Sequence, residues 1–437
     1  MSGSVTEFAA GSAPATTQDA GSGIVGAPRV SSATPKAYRG GTHRLVPPDE
    51  TIERLRRFLP AMGITRAADV TGLDVIGIPV IMVVRPNSRS LSVSQGKGLD
   101  RLAAIASGLM ESIELYHAEL VTHPLLFGSC AELRASYRLA DVGGIPRWRS
   151  SLFHDGFQFP WVEGTNLLDG ASSWVPYETV HTDFALPQPA GAGCFAASSN
   201  GLASGNHLLE AMSHGICEVI ERDATTLWSL QDGDAWRATG LDLDTVDDPR
   251  CREALERFDD AGVGVAVWET TSDVGIPSFL AMIADRVDDP VRLLFSARGM
   301  GCHPAREIAL LRALTEAAQG RLTYISGARD DMPHSDYARV RSPDTVRLHR
   351  ETVNARGRRD FREVPTFAGA TFEDDIAWEL ERLRAVGITE TILVDLTKPE
   401  FGIPVIRVVI PGLEGPLQEL PSMSLGRRAH AVTERRA

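Results

Sequence analysis

Three stretches of the chain combine the apolar spacing of a buried helix with one row of polar side chains. In residues 207–224, HLLEAMSHGICEVIERDA, the row consists of Glu210, His214, Glu218 and Glu221, at steps of four, four and three. On a helix these steps place the four side chains along one side. Their companions are mostly apolar or small, which leaves no broad solvent face and predicts a buried helix.

The same combination occurs twice more. The two further rows are Ser107, Glu111 and Glu114, and Arg312, Glu316 and Gln319. Each of the three helices follows a glycine-containing segment, which we predict to be a loop. Because like charges at helical spacing repel and a buried carboxylate is costly without a cation, the rows are candidates for functional residues.

A second pattern recurs in residues 52–86, 251–285 and 378–412. Each copy has a helical period, a β-branched run, a Gly-Ile-Pro turn and another β-branched run, which predicts helix–strand–strand. With the glycine segments and polar helices, this predicts an α/β (α+β) fold built from related helix–strand–strand–Gly loop–helix subdomains around a shared centre. Residues 157–180 are predicted to form a hairpin that covers the core.

Composition suggests where the folded region begins and ends. Residues 1–42 are mostly Ala, Gly, Ser and Thr, with few large apolar groups, so we predict a disordered tail. Residues 43–415 are predicted to be one folded domain, and residues 416–437 a C-terminal tail. The chain has no signal-peptide pattern and no apolar run of the roughly 18–20 residues that a membrane helix needs, which predicts a cytoplasmic location.

Net charge and cysteine spacing argue against several classes of binding partner and structural site. The 437 residues carry a net charge of -13, which argues against nucleic acid or an anionic membrane as the main partner. The five cysteines form no C-x-x-C pair. A disulfide framework or a zinc knuckle is therefore not expected.

The carboxylate pairs predict a metal site if the three rows converge. Glu111 with Glu114 and Glu218 with Glu221 would then face one another, and such hard oxygen ligands suit Mg²⁺. A rival interpretation starts from Glu114-Leu-Tyr-His117, since E-x-x-H is a helix signature of di-iron proteins. Those proteins need a second E-x-x-H and a four-helix bundle, neither of which this sequence offers, although bound iron would support an oxidoreductase.

Basic residues near the same rows predict phosphate binding. Arg312 begins the third row and Arg222 follows Glu221, and a guanidinium group matches a pair of phosphate oxygens. Lys97 in SQGKG adds a mobile charge, although this segment lacks the GxxxxGK[ST] pattern of a phosphate-binding loop. Glycine loops at helix starts would add backbone N–H groups. Together these features predict a magnesium-bound nucleoside triphosphate. His214 could be a ligand, a base or a histidine satisfied by a neighbouring carboxylate, and we expect the last of these.

The motifs resemble those of the YcaO family over residues 45–415. The matching elements are S-x-x-x-E-x-x-E in the first row, N-x-x-x-E-A and E-x-x-E-R-D in the second, and R-x-x-x-E in the third. The resemblance implies an ATP-binding fold with a central nucleotide site, in which Mg²⁺ is held by Glu111, Glu114, Glu218 and Glu221. It implies that ATP is bound by Lys97, Ser107, Asn206, Glu210, Arg222, Arg312 and Glu316.

The resemblance also implies an activity on peptides. YcaO members use ATP to activate a backbone amide oxygen, which a nucleophile then replaces to give an azoline or a thioamide, and homodimers are expected. Glu114-Leu115-Tyr116 resembles the members that work with a TfuA partner, and VTERRA lacks the Pro-x-Pro-x-Pro tail of many azoline-forming members. Both features favour thioamide formation in a ribosomally made peptide or protein, with peptide recognition supplied by a partner. A non-catalytic scaffold is the alternative, which the presence of all four metal carboxylates disfavours.

Overall fold

Three related layers of helix and antiparallel sheet make up the protein, and the computed structural model describes residues 5–7, 33–287, 296–416 and 422–434. The helices are α1 Pro48–Arg56, α2 Arg101–Glu119, α3 Cys130–Leu133, α4 Leu208–Ser229, α5 Gly233–Thr239, α6 Pro249–Asp260, α7 Arg306–Ser326, α8 His334–Val340, α9 Pro343–Asn354, α10 Phe372–Ala385 and α11 Arg427–Glu434. The strands are β1 Val5–Glu7, β2 Arg66–Asp69, β3 Val80–Val84, β4 Val93–Lys97, β5 Leu125–Gly128, β6 Phe159–Asn166, β7 Ser172–Pro176, β8 Leu202–Ser204, β9 Leu241–Asp242, β10 Val263–Glu269, β11 Ser278–Asp285, β12 Ala297–Cys302, β13 Arg359–Asp360, β14 Ile392–Asp395 and β15 Val405–Val409.

The predicted helix–strand–strand repeats all form. They are α1–β2–β3, α6–β10–β11 and α10–β14–β15, and in each the two strands pair antiparallel across the Gly-Ile-Pro turn. The predicted hairpin also forms, because β6 pairs antiparallel with β7. It extends the sheet β5-β6-β14-β15-β8, while the other large sheets are β1-β2-β3-β4 and β10-β11-β12.

Each glycine-containing segment predicted as a loop contains a strand, which corrects the sequence analysis. Each of these strands, β4, β8 and β12, is the third strand of a unit and leads into a polar helix. The glycines let strand and helix touch: a Cβ on Gly96 would lie 2.0 Å from the Ala104 carbonyl oxygen, and one on Gly301 would lie 2.0 Å from that of Ala309. These glycines therefore permit close packing of a strand on a helix. The sequence analysis had expected them to form loops that bind phosphate.

One of the three units is assembled out of sequence order. The first runs α1–β2–β3–β4–α2 and another runs α6–β10–β11–β12–α7, each in one continuous stretch. In the remaining unit, β8 and α4 come before α10, β14 and β15, and β8 completes the sheet by pairing antiparallel with β15. A long-range pairing therefore rebuilds the same layer from two separate parts of the chain.

The three polar helices surround one centre. Each packs on the sheet of its own unit and also contacts the third strand of another: α2 meets β8, α4 meets β12, and α7 meets β4. This pattern closes into a ring, so the rows on all three helices are carried toward a common region. Among the described residues, no helix has both the length and the apolar character needed to span a bilayer.

The N-terminal boundary of the folded region differs from the prediction at residue 42. Both β1 and residues 33–42 belong to the predicted tail, yet β1 pairs antiparallel with β2. The Lys36 ammonium lies 2.6 Å from the Asp375 carboxylate, and both side chains are buried. Pro35 also bridges Thr371 at the start of α10. The partners are more than 300 residues apart, so no local pattern could reveal them. Residues 1–4 and 8–32 lie outside the described residues.

The predicted C-terminal tail, residues 416–437, contains α11, which folds back onto α4. Arg428 on α11 donates two hydrogen bonds of 3.0 Å to the Asp223 carboxylate and also contacts Asp273. Asp223 accepts a further hydrogen bond from the Glu414 amide, at 3.0 Å. Residues 417–421 and 435–437 lie outside the described residues.

Candidate nucleotide and metal site

The carboxylates of α2 and α4 face one another at the centre of the ring. Burial, followed by the neighbouring charges of Glu111 and Glu218, raises the pKa of Glu114 to about 8, although hydrogen bonds from Ser204 oppose the shift. Burial also raises the pKa of Glu111 to about 7, and the charge of Glu218 acts in the same direction. The first two polar rows therefore converge as the sequence predicted.

The third row joins them through two cations. Lys97, at the end of β4, lies 2.7 Å from a Glu316 carboxylate oxygen, and the Met300 amide donates to the other oxygen at 3.2 Å. Burial acts to raise the pKa of Glu316, but the charges of Lys97 and Arg222 outweigh it and hold this pKa below its usual value. Glu316 is therefore anionic at neutral pH.

Arg222 connects the carboxylates of its own helix to the third unit. Its guanidinium lies 3.2 Å from Glu221 and 3.6 Å from Glu218, and it also contacts the Met300 sulfur at 3.5 Å. Burial raises the pKa of Glu221 to about 7 in spite of Arg222, because Glu316 and Glu218 add negative charge nearby. The side chains of this cluster keep 9% to 25% of their surface exposed, so a ligand can reach them.

Glu210 and Asn206 lie at the other end of the α4 row and contact the N-terminal segment. The Leu45 amide donates to one Glu210 oxygen at 3.0 Å, and the Arg44 guanidinium lies 3.4 Å from the other. The Asn206 side-chain oxygen accepts a hydrogen bond from Thr51 at 3.2 Å. Glu210 and Glu218 are eight residues apart, so this end lies about 12 Å along the helix from the acidic cluster.

Three further predicted residues complete the rows. Ser107 is half-buried, one turn before Glu111. Arg312 donates to the Cys302 carbonyl at 3.0 Å, and burial, together with Arg44, lowers its pKa. Burial, followed by the charge of Arg312, holds the pKa of His214 well below its usual value, so this histidine is neutral among cations. The expected partnership of His214 with a carboxylate is not among the hydrogen bonds of the described residues.

His117 does not belong to the acidic cluster, which removes the E-x-x-H interpretation. Its ring is buried, its Nδ1 hydrogen-bonds the Ile113 carbonyl at 2.8 Å, and it packs edge-on against Tyr116 and Phe401. Burial lowers its pKa to about 4. The histidine is part of the core behind α2, while Glu114 on the same helix faces the ring centre.

His43, His303 and Asp375 also bring possible metal-ligand atoms within 4.8 Å of one another. The Asp375 carboxylate already pairs with the Lys36 ammonium at 2.6 Å. Nδ1 of His303 already accepts a hydrogen bond from the Ala305 amide at 2.9 Å. Burial and then Lys36 lower the pKa of His43 to about 3, which marks a cationic environment. A divalent cation would be repelled there, so we assign this cluster a packing role.

Several residues near the centre were missed by the sequence analysis. Ser204, at the end of β8, donates to Glu114 from its amide at 2.9 Å and from its hydroxyl at 2.6 Å. Arg407 is buried on β15 and donates to the carbonyls of Val180 and Asn200. Arg44 lies in the segment before α1 and Arg329 in the loop after α7, so both lie outside the three polar helices. None of them stands in a helical row, so periodicity gave no signal for them.

The acidic cluster lies between three α/β layers and is flanked by lysine and arginine. These features define a class of protein that binds a divalent cation together with phosphate. A family profile described as YcaO cyclodehydratase, ATP- and Mg²⁺-binding, matches residues 95–414. The chain belongs to the YcaO family. ATP and Mg²⁺, which the sequence predicted, are the ligands by which this family is described.

Two relatives show how far the sequence similarity extends. The chain is 37% identical over 377 residues to an uncharacterised protein in the tfuA 3′ region of Rhizobium leguminosarum bv. trifolii, covering 85% of this chain and 88% of the relative. It is 34% identical over 382 residues to an uncharacterised protein of Methanothermobacter thermautotrophicus, covering 84% and 94%. The predicted link to TfuA-associated members is supported by the first of these.

Solved structures confirm the predicted fold. YcaO from Methanopyrus kandleri bound with AMPPCP and Mg²⁺ superposes with a TM-score of 0.70 at 22% identity, over 90% of this chain and 98% of that one. A heterocyclase in complex with substrate and cofactor gives 0.71 at 21% identity, over 89% of this chain. This chain spans 55% of that heterocyclase chain. At these identities the likeness shows the fold alone.

Proposed function

We propose that the protein uses ATP and Mg²⁺ to activate a backbone amide of a ribosomally made peptide or protein, and that a sulfur nucleophile then replaces the amide oxygen to give a thioamide. The observation that carries this proposal is the convergence of Glu111, Glu114, Glu218 and Glu221 beside Lys97 and Arg222. Carboxylates at a metal and cations at phosphates are what phosphoryl transfer requires.

The donor set fits Mg²⁺. The carboxylates are hard oxygen ligands from two facing helices, and burial raises the pKa values of Glu111, Glu114 and Glu221 in spite of the nearby cations, so their charged forms would gain from a bound metal ion. We assign the metal to Glu111, Glu114, Glu218 and Glu221. When bound, Mg²⁺ would neutralise phosphate charge, and ATP would supply the phosphoryl group that makes the amide oxygen a leaving group.

The cations and the polar end of α4 fit the rest of the nucleotide. Lys97, Arg222 and Arg312 come from three different elements and supply positive charge for phosphates. We assign further nucleotide contacts to Ser107, Asn206, Glu210 and Glu316. The role of the protein is to bind and orient the nucleotide and to stabilise the negative charge of its phosphates. The reaction needs no covalent nucleophile from the protein.

The relative in the tfuA 3′ region supports a TfuA-type partner and hence the thioamide product. An azoline-forming cyclodehydratase is the second candidate, which the cyclodehydratase description of the family favours. The two differ in mass, because sulfur replaces oxygen in a thioamide whereas an azoline forms by loss of water. The proposal includes a homodimer and a cytoplasmic location, for which family resemblance and the sequence are the support.

The test combines the purified chain, a TfuA-type partner, a candidate peptide and a sulfide source with Mg²⁺ and ATP. We expect peptide-dependent ADP release and a sulfur-for-oxygen mass increase in the peptide. Water loss without sulfur would select the cyclodehydratase. A chain that binds ATP but releases no ADP with any peptide would instead support the non-catalytic scaffold. Light scattering of the same sample measures the oligomeric state.

The first substitution to make is Glu218→Gln. It removes one anionic ligand while keeping shape, so we expect ADP release to fall by about two orders of magnitude or more, equivalent to about 3 kcal/mol. Glu256→Gln on α6 is the matched control, because Glu256 is an exposed carboxylate. Normal turnover by Glu218→Gln would contradict the assignment of the metal.

A further inference from the structure

Ser204 is the last residue of β8, and both of its hydrogen-bond donors contact Glu114. The Ser204 amide donates to Oε1 of Glu114 at 2.9 Å, and the Ser204 hydroxyl donates to the same oxygen at 2.6 Å. Ser204 is only 5% exposed, so water competes little for either bond. Within the described parts of the chain, Oε2 of Glu114 accepts no hydrogen bond. The contact therefore fixes one carboxylate oxygen and leaves the other available for a ligand.

The two partners belong to different units of the fold. Glu114 is on α2 of the first unit, whereas β8 belongs to the unit that is assembled out of sequence order. The position of Ser204 is fixed by β15, because Ser204 pairs with Val405 and the next amide, of Gly205, donates to the Pro404 carbonyl at 3.2 Å. After β8 the chain leads into α4, which carries the second pair of carboxylates. Ser204 thus sets where the Glu114 carboxylate lies relative to that pair.

The donors that hold Glu114 are neutral, unlike the group that holds the carboxylates of α4. Glu218 and Glu221 lie 3.6 Å and 3.2 Å from the Arg222 guanidinium, which offsets part of their negative charge. An amide and a hydroxyl orient a carboxylate without adding a positive charge that would repel a divalent cation. Hydrogen bonds of this kind, from residues behind a metal ligand, fix its orientation and contribute to metal affinity.

We propose that Ser204 is a positioning residue for Mg²⁺, which holds Oε1 of Glu114 so that Oε2 stays available for the metal. The inference rests on the proposed function, in which Glu114 is a ligand of Mg²⁺. Any residue at position 204 other than proline supplies the amide, but the second donor depends on the side chain. Removal of the hydroxyl leaves a single hydrogen bond, and the carboxylate is then free to rotate about it.

Calorimetric titration of the full chain with a non-hydrolysable ATP analogue, once at saturating Mg²⁺ and once in a chelator, tests this role. Ser204→Ala should weaken binding of the Mg²⁺ complex about tenfold and of the metal-free analogue less than about threefold, because the hydroxyl acts through the metal ligand. Ser204→Thr should stay within about threefold of the wild type, since it keeps the hydroxyl. Ser199→Ala is the matched control and should change neither value, because Ser199 is an exposed serine in the segment before β8.

A double-mutant cycle separates positioning from a general loss of structure. In the Glu114→Gln background, Ser204→Ala should weaken binding of the Mg²⁺ complex by less than about twofold, because its effect passes through the carboxylate that is already gone. If Ser204→Ala does not fold, Ser204→Cys replaces it in the same measurements, since it keeps the shape and only a weak donor.

Three results would refute the role of Ser204 and leave the proposed function standing. They are unchanged binding of the Mg²⁺ complex by the variant, an equal loss with and without Mg²⁺, and the same loss in the Glu114→Gln background as in the wild type. A wild-type chain that binds the Mg²⁺ complex no better than the metal-free analogue, or binds neither, would overturn both proposals.

Discussion

Burial disfavours the charged forms of Glu111, Glu114 and Glu221. Lys97 and Arg329 oppose this effect at Glu111, Arg222 and Lys97 oppose it at Glu221, and hydrogen bonds from Ser204 oppose it at Glu114. Each carboxylate alone resembles an ordinary surface residue of a helix. Because they lie together in a buried region, a divalent cation would stabilise their charged forms, although it must first displace a proton or a paired side chain.

The metal-free chain should lose stability as the pH rises. Glu114 has an unfolded pKa near 4.5 and a folded pKa of about 8, so the folded state keeps a proton that the unfolded state releases. Its contribution is present below about pH 4.5 and is lost as the pH passes about 8. Melting temperatures measured in a chelator should therefore fall across this range, and Glu114→Gln should make the fall shallower.

Two further arms make this experiment decisive. Glu256→Gln should leave the slope of melting temperature against pH unchanged, since its carboxyl is exposed. Saturating Mg²⁺ should reduce the slope of the wild-type chain, because metal binding requires the deprotonated carboxylates. An equal slope for the wild type and Glu114→Gln would show that Glu114 keeps an ordinary pKa.

Strands and polar helices are held together at unusually short range. In β12 both Gly299 and Gly301 face α7, where a Cβ would lie 2.3 Å and 2.0 Å from helix backbone atoms. The same strand provides Met300, whose amide holds Glu316 and whose sulfur contacts Arg222. The position of the third row thus depends on how closely β12 approaches the helix.

Gly301→Ala should push β12 away from α7. Overpacking of this kind costs about 1–3 kcal/mol, and we expect weaker nucleotide binding as Glu316 shifts. Chemical denaturation measures the first effect, and nucleotide titration of the folded variant measures the second. Gly72→Ala is the control, because a Cβ there meets nothing within 4 Å. Equal stability of the two variants would contradict the close-packing argument.

The segment around Lys36 packs on α10, and the C-terminal helix α11 packs on α4. Lys36 is buried against Asp375, and Arg428 on α11 is paired with Asp223, which is fully buried and adjacent to Arg222. Removing one partner of a buried pair leaves an uncompensated charge. The C-terminal helix therefore contributes to the stability of the helix that carries four of the proposed site residues.

Arg428→Met should lower the free energy of unfolding by about 3–5 kcal/mol, because Asp223 would remain buried without its cation. Arg427→Met is the neighbouring control: Arg427 is 81% exposed and lies 3.7 Å from Asp141, so its loss should cost about 1 kcal/mol or less. Asp223→Asn combined with Arg428→Met should recover part of the stability. Denaturant titration that finds equal losses for the two arginine variants would exclude a structural role for α11.

Sequence periodicity was sufficient for helices α1, α2, α4, α6, α7 and α10, for the paired strands of the repeats and for the three rows. Steps of three and four placed Glu111, Glu114, Glu218 and Glu221 on common faces, and the Gly-Ile-Pro turns marked the hairpins. The glycine segments were misassigned because glycine is typical of loops. Only the close packing of β4 and β12 on their helices explains why these strands contain glycine. Arg44, Ser204 and Arg329 were missed because each reaches the site from an irregular segment or a strand end.

The sequence by itself determined which faces of the helices are polar, since side-chain direction along a helix follows from spacing alone. Only the tertiary structure decided that β8 and α4 join α10, β14 and β15, and that the three units close into a ring. Strand pairing and electrostatic contact act between groups hundreds of residues apart, and a local pattern carries no information on such distances. For the same reason the tertiary structure alone gave the carboxylates their raised pKa values and their cationic partners.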